Sequence, residues 1–320
     1  MLAWYQHNAR SLPWREDRDP YRVWLSEIML QQTRVAAVID HYRRFLMKFP
    51  TIGKLAQARE AAVLAAWSGL GYYRRARMLH AAAKVVVRER AGEFPKTAAA
   101  LRELPGIGRY TAAAIASIAF GEPIAVVDGN VERVLARLLG RRLAGEDLWR
   151  TAQQLLEGSI GQAAPGDFNQ ALMELGATVC LPGAPKCLLC PLTHFCATRG
   201  ELPAAASKAR QKKRSAVYGL ARRGKQVLLV KRPAQESLMA GMWELPRLTK
   251  VNGAHETLFN VRHSITVTDY RVRVVSLRSE DFEPGGPHWT PDAKWHVASR
   301  LTGLPITGLA RKILRRTGII

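Results

Sequence analysis

Four cysteines stand at Cys180-x6-Cys187-x2-Cys190-x5-Cys196, and they are all the cysteines in the chain. Thiolates so closely spaced can wrap one inorganic centre, either tetrahedral zinc or a [4Fe–4S] cube, and spacing alone does not choose between them. The intervening PKCLLCPLTHF is too short for a core element, which argues against four unliganded core thiols. Two carboxylates also stand out. Glu27 lies inside WLSEIML, an otherwise apolar helical stretch. Burial there would disfavour its charged form and let it hold a proton near neutral pH, as a general acid must; pairing with Arg22 or Arg34 on a polar face is the plainer alternative. Asp128 ends the apolar run PIAVV and precedes a helix beginning near Asn130, the place of an ordinary N-cap. In LPGIGRYTAAAIASIAF, residues 104–120, a Gly-x-Gly turn meets a helix start. Backbone N–H groups from Gly106 to Gly108 can therefore point outward at a phosphate.

The elements that must hold these groups are helical from about residue 2 to 176, with apolar residues at three- and four-residue spacing. One long helix is expected from about Val23 to Phe49, a second over LAQAREAAVLAAWS, a third over RRARMLHAAAKVVVRER, and others after Gly108, Gly129 and Asp147. Residues 201–214 change character: Lys208 to Arg214 holds five basic residues of seven and no periodic apolar face, as an interdomain linker would. Beyond it the pattern turns to strands. VYGLARRGKQVLLVKRP resembles a hairpin turning at Arg223-Gly224, TVTDYRVRVVSL alternates as an exposed strand would, and LARKILRR closes the chain as a helix.

The 320 residues suffice for two domains, each with its own core. Lys and Arg number 48 against 26 Asp and Glu, a formal charge of +22 that predicts a polyanionic partner, most simply nucleic acid. An arginine-rich coding bias would give the same balance. With 48% hydrophobic residues, disorder of the whole chain is disfavoured. No apolar run approaches the roughly 20 residues of a membrane span, and the start, MLAWYQHNARSLPWRED, lacks the pattern of a secretory signal. The expectation is a cytoplasmic protein that keeps clear of membranes and acts as a monomer.

The cysteine spacing directly after a helical core resembles the iron–sulfur loop of the endonuclease III superfamily of DNA glycosylases, and the Gly-x-Gly segment resembles that superfamily's helix-hairpin-helix. LPWR (12–15), WLSEIMLQQTRV (24–35), GLGYYRRAR (69–77), LPGIGRYTA (104–112), VDGNVERVLAR (127–137) and MELG (173–176) are similar to the adenine DNA glycosylases within it. The resemblance implies a mainly α helix-hairpin-helix glycosylase domain over 1–200, with a [4Fe–4S] loop at 180–196 held by Cys180, Cys187, Cys190 and Cys196. It implies a basic linker at 201–214 and an α/β Nudix-like domain over 215–320 that reads the lesion. The implied reaction is hydrolysis of the N-glycosidic bond of adenine mispaired with 8-oxoguanine or guanine in double-stranded DNA, leaving an abasic site.

By the same resemblance Glu27 is the acid at adenine N7, Asp128 stabilises the sugar cation, and Asn130 orients that centre. Strand-cleaving members carry a lysine where this chain has Tyr110, so the resemblance implies a monofunctional enzyme using water. Gln32 is implied as the wedge beside the extruded base, supported by Tyr72, with Thr33 and Leu70 at the lesion base or its neighbours. Trp14, Arg15 and Glu174 are implied as pocket residues that read adenine, and Gly106 and Gly108 as phosphate contacts; for the aromatics, core packing is the alternative. Lys186 and His194 would sit at the cluster's surface. In the second domain VLLVKRPAQESLMAGMWELPRL matches the family, while the glutamate-rich metal helix of a hydrolase is missing. The family's Phe-Ser-His loop is replaced after Arg262-His263 by Ser264-Ile265-Thr266-Val267, leaving Thr266 as its hydrogen-bonding residue.

Overall fold

The computed structural model describes residues 1–158, 163–200, 212–236, 238–248, 255–265, 268–282 and 290–320. Two compact units emerge, Met1–Gln57 with Met78–Ser207, and Ala58–Arg77 with Lys208–Ile320. The segment Ala58–Arg77, expected in the N-terminal domain, thus groups with the C-terminal one.

The first unit is helical, as its apolar spacing requires. Its helices are α1 (Leu2–Asn8), α2 (Pro20–Leu30), α3 (Val35–Lys48) and α4 (Ile52–Gln57). After the excursion 58–77, which holds α5 (Glu60–Ala66) and the start of α6 (Arg74–Glu89), follow α7 (Ala98–Leu101), α8 (Arg109–Phe120), α9 (Gly129–Leu138), α10 (Gly145–Glu157) and α11 (Pro165–Thr178). The long helix expected from Val23 to Phe49 is two helices. Gln32 takes a φ of 55°, a left-handed conformation that a right-handed helix cannot continue through, and α2 ends there. LAQAREAAVLAAWS likewise divides into α4 and α5, and α10 begins at Gly145, ahead of Asp147.

Local chemistry fixes the helix ends. Asp19 caps α2 by accepting from the Arg22 N–H at 2.9 Å, with Pro20 preset in the first turn. Gly121 ends α8 with a φ of 72°. Helix α11 lies close against its neighbours because of two glycines. A Cβ on Gly166 would stand 2.7 Å from the Ser117 carbonyl oxygen of α8, and one on Gly176 would stand 2.6 Å from Asn130 Cβ of α9. Between them Phe168, Leu172 and Leu175 pack with Val131, Val134 and Leu135 in one core.

The second unit is α/β. Its strands are β1 (Lys212–Arg223), β2 (Gln226–Lys231), β3 (Trp243–Glu244), β4 (Arg247–Leu248), β5 (Thr257–Ile265), β6 (Thr268–Leu277) and β7 (Ala293–Val297), followed by α12 (Gly308–Arg316). The sheet runs β3-β2-β1-β6-β5, with β4 on β1 and β7 on β2. β1 and β6 are parallel, and β5 joins β6 antiparallel. The hairpin at Arg223-Gly224 is present, with Arg223 opposite Gln226. Two expectations are corrected. β1 begins at Lys212, so the end of the supposed linker is strand, and 201–211 lies outside the described residues. β6 is not an exposed strand but is flanked on both sides, its Val272, Val274, Val275 and Leu277 buried.

Side chains alternate across the sheet as the pleat dictates. One face packs Ala216, Tyr218, Val261, Val272 and Val274 under the Leu309, Ile313 and Leu314 stripe of α12. In the same unit the Ser68 hydroxyl accepts from Arg311 Nη2 at 2.7 Å, and the Tyr73 hydroxyl donates to the Ile306 carbonyl at 3.1 Å. These bonds explain why the short excursion belongs with the C-terminal residues. No helix among the described residues is long and apolar enough to cross a membrane.

Candidate active site and cysteine loop

Glu27 is carried by the buried stretch of α2 and is only 7% exposed. The Tyr110 hydroxyl, in the first turn of α8, donates to Glu27 Oε2 at 2.6 Å. Burial pushes the Glu27 carboxyl up to about 7; the Tyr110 bond pulls it down, the charge of Asp128 pushes it up again, and Arg15 pulls it down. Glu27 therefore carries a proton for much of the time at neutral pH. Burial, then the charges of Glu27 and Asp128, hold the Tyr110 phenol well above its ordinary value, so it remains a neutral donor.

Asp128 is the N-cap of α9, as its position implied. Its Oδ1 accepts from the Asn130 and Val131 N–H groups at 2.9 and 2.8 Å, and its Oδ2 accepts from Asn130 Nδ2 at 2.8 Å. Arg133 Nη2 in turn donates to Asn130 Oδ1 at 2.8 Å. Capping and orientation are thus one hydrogen-bond network, and it fixes the carboxylate. The sequence pairs of Glu27 with Arg22 or Arg34 do not form; Arg22 bonds to Asp17.

The remaining candidates divide by exposure. Gln32 is exposed at the α2–α3 break, and Thr33 beside it donates to the Gln31 carbonyl at 3.2 Å. Trp14 is buried and meets Tyr42 edge-on with centroids 5.5 Å apart, so it packs the core instead of offering a stacking face. Glu174 has no exposed surface. Arg10 holds it with two side-chain bonds, at 2.7 and 2.8 Å, and Arg15 Nη2 adds a third at 2.8 Å. Burial works to raise this carboxyl, but the two guanidinium groups outweigh it and hold it at about 2. Its oxygens are occupied, and it positions Arg10 and Arg15.

Gly106 adopts a φ of 75°, and a Cβ there would stand 2.4 Å from Met78 Cβ. Only glycine fits. Gly108, the N-cap of α8, has open space where a Cβ would be, so a ligand can approach the backbone closely. In the second unit Tyr72 is 43% exposed with a φ of 47°, and the Arg75 guanidinium lies 5.5 Å from its ring centroid. Leu70 is buried, so its side chain belongs to packing and not to a contact surface. Thr266 lies outside the described residues.

Cys180, Cys187, Cys190 and Cys196 line one hollow, together with Arg137, Lys186, Arg199 and Gly200. Gly200 is needed there: at a φ of 115°, a Cβ would stand 3.2 Å from Cys187 Sγ. Arg137 is 2% exposed and has no carboxylate partner among the described residues. Its Nη1 donates to Cys180 Sγ at 3.2 Å and to the Leu181 carbonyl at 2.7 Å, while its Nε has no partner. A buried cation so placed suits a loop whose sulfurs carry negative charge when they ligate a metal centre. Among the described residues no three His, Cys, Asp or Glu side chains converge tightly enough for a single metal ion. Four thiols around one hollow, with a buried guanidinium against Cys180, are a donor set that suits one inorganic centre. His194 and Lys186 are exposed on this loop.

Arg10 and Arg137 escaped the reading of the sequence. Arg137 carried a signal, since Arg133 and Arg137 in VERVLARL share one helix face and both bond to the cysteine loop. Nothing local distinguished Arg10.

Residues 25–156 match the family described as HhH-GPD superfamily base excision DNA repair protein. The chain is 50% identical over 214 residues to the adenine DNA glycosylase of Homo sapiens, covering 62% of this chain and 38% of that protein. It is 42% identical over 297 residues to that of Arabidopsis thaliana, covering 77% and 46%. It thus spans less than half the length of either relative. Among solved structures, a thermostable thymine-DNA glycosylase aligns with a TM-score of 0.57 at 32% identity, covering 62% of this chain and 92% of that one. A non-covalent endonuclease III–DNA complex aligns with a TM-score of 0.54 at 25% identity, covering 62% and 91%.

Proposed function

The chain belongs to the HhH-GPD superfamily of base excision DNA repair proteins, and from that premise we propose that it is a monofunctional adenine DNA glycosylase acting on adenine opposite 8-oxoguanine or guanine in duplex DNA. The observation that carries this reading is Glu27, buried, near half-protonated at neutrality and within the electrostatic reach of Asp128. Glu27 donates its proton to adenine N7. The C1′–N9 bond breaks with its electron pair going to the base, and the sugar acquires oxocarbenium character. Asp128, its oxygens fixed by Asn130 and Val131, stabilises that cation. Water adds at C1′, gives up a proton, and an abasic site results.

Tyr110 carries a hydroxyl where a lyase needs an amine, and that hydroxyl is committed to Glu27. The relatives' printed names support adenine as the base, and the exposed Gln32 at a left-handed turn suits a residue that enters the helix when the base leaves it. A [4Fe–4S] cluster is the group we assign to the four cysteines. When bound, it supplies Fe–S bonds that cross-link the loop 180–196. Arg137, which donates to Cys180 Sγ, would offset the charge of the thiolates that hold it, and Lys186 and Arg199 line the same hollow.

The test is single-turnover release of adenine from duplexes with A opposite 8-oxoguanine, G or T. Release favouring 8-oxoguanine, with strand scission only after alkali and no borohydride-trapped adduct, is the expected result. Scission without alkali would overturn the monofunctional assignment; tight binding without release would overturn the enzyme.

A further inference from the structure

The sheet of the second unit has a second face, and among the described residues its outer half is exposed. Arg271 and Arg273 of β6 project on the side opposite the α12 core, two residues apart, hence roughly 7 Å along the strand. Arg262 of β5 is the registered partner of Arg271 across the antiparallel pair. Lys213 of β1 and Asn260 of β5 point the same way by register. All five are exposed.

This arrangement is costly without a partner. Like charges directly opposite on paired strands repel. No hydrogen bond or ion pair of the Arg262, Arg271 or Arg273 side chain to a described residue relieves that repulsion. Asp269, the acid nearest in register, is taken by the Ser264 hydroxyl. Packing does not explain the arginines either: the core on this face, with Val275 and Leu277, takes up the other end of β6, and all three arginines are exposed. The same sign continues around the edge of β5, where Lys312 and Arg316 of α12 donate to the Arg262 and Asn260 carbonyls.

The geometry points to a phosphate-binding platform on the β5–β6–β1 face, occupied by the sugar–phosphate backbone of double-stranded DNA. Guanidinium forks suit phosphate oxygens, and the exposed side chains interleaved with them, Ser215, Asn260 and Ser264, are small and polar, while Val217 beside Arg273 is turned into the core of this face. A protein partner would instead call for aromatic or aliphatic anchors at the centre. The platform rests on the DNA-repair reading for the identity of its polyanion. It adds a contact that reads no base and holds the second unit on the duplex.

The experiment uses the full chain with Arg262, Arg271 and Arg273 all changed to Gln, and an undamaged duplex as the probe. Three lost phosphate contacts should flatten the plot of log affinity against log salt by about 2 to 3, at about 0.9 per contact. Adenine release at saturating duplex should keep its rate, and the thermal midpoint should hold or rise as the Arg262–Arg271 repulsion is removed. The triple Lys variant should recover the slope. An unchanged slope in a folded Gln variant overturns the platform. So does an unchanged slope accompanied by lost binding to polyglutamate, which would assign the face to an acidic protein. A reduced slope in a chain that releases no adenine would uphold the platform and overturn the glycosylase reading alone.

Discussion

The Tyr110 hydroxyl stands 2.6 Å from Glu27 Oε2 and uses that oxygen as its acceptor, which leaves Oε1 to carry the proton. The phenol therefore selects which oxygen is acidic toward a substrate. It also tempers the effect of burial, since its bond favours the ionised form.

Glu27→Gln keeps the shape and removes the transferable proton. Adenine release should fall by about 10³-fold or more, while affinity for the mismatched duplex stays within a few-fold. Single-turnover kinetics beside a gel-shift titration would check both. Release at the parental rate would remove Glu27 from the mechanism.

The folded pKa of about 7 lies above the ordinary 4.5, so the native state binds more protons than the unfolded chain between those values. Stability from this group is full below about 4.5 and is lost as pH rises through 7. Glu27→Gln should accordingly be more stable than the parent at pH 8, by about 3 kcal/mol, and equal to it near pH 4. Denaturant melts at the two pH values decide this.

The rate should follow the same group and decline above about pH 7 as the acid ionises. Removing the Tyr110 hydroxyl takes away a bond that favours the carboxylate. Tyr110→Phe should move the alkaline limb upward by about one pH unit. A limb that stays in place would show that the bond has no hold on the acid.

Glu174→Gln leaves Arg10 and Arg15 facing a neutral amide in a sealed position. A loss of about 3 kcal/mol is expected, read from denaturant midpoints at pH 7. Because its folded pKa is depressed to about 2, the stabilisation is present above about 4.5 and is lost as pH falls toward 2. The gap between parent and variant should narrow in acid.

Much of this was legible in the order of residues. WLSEIML marked a carboxyl inside an apolar helix, PIAVVDGN marked a cap, and the cysteine spacing marked one centre, because each is a local pattern. What escaped depends on distant groups. Glu174 read as a pocket residue because its partners, Arg10 and Arg15, lie more than 150 positions away. The break at Gln32 was hidden because glutamine has no general preference for left-handed backbone. β6 alternates like a surface strand, yet whether a strand lies at an edge or in the middle is decided by its neighbours. The attachment of Ala58–Arg77 to the C-terminal unit rests on contacts such as Ser68 with Arg311, which no periodicity encodes.

Gly176 lies against Asn130, with no room for even one more carbon, and Asn130 holds Asp128. Every missense change in a glycine codon adds a side chain. At this codon a single nucleotide error therefore wedges α9 away from α11 and disturbs the Asp128 carboxylate without altering it. The position is thereby as sensitive as Asp128 itself, although it bears no reactive group.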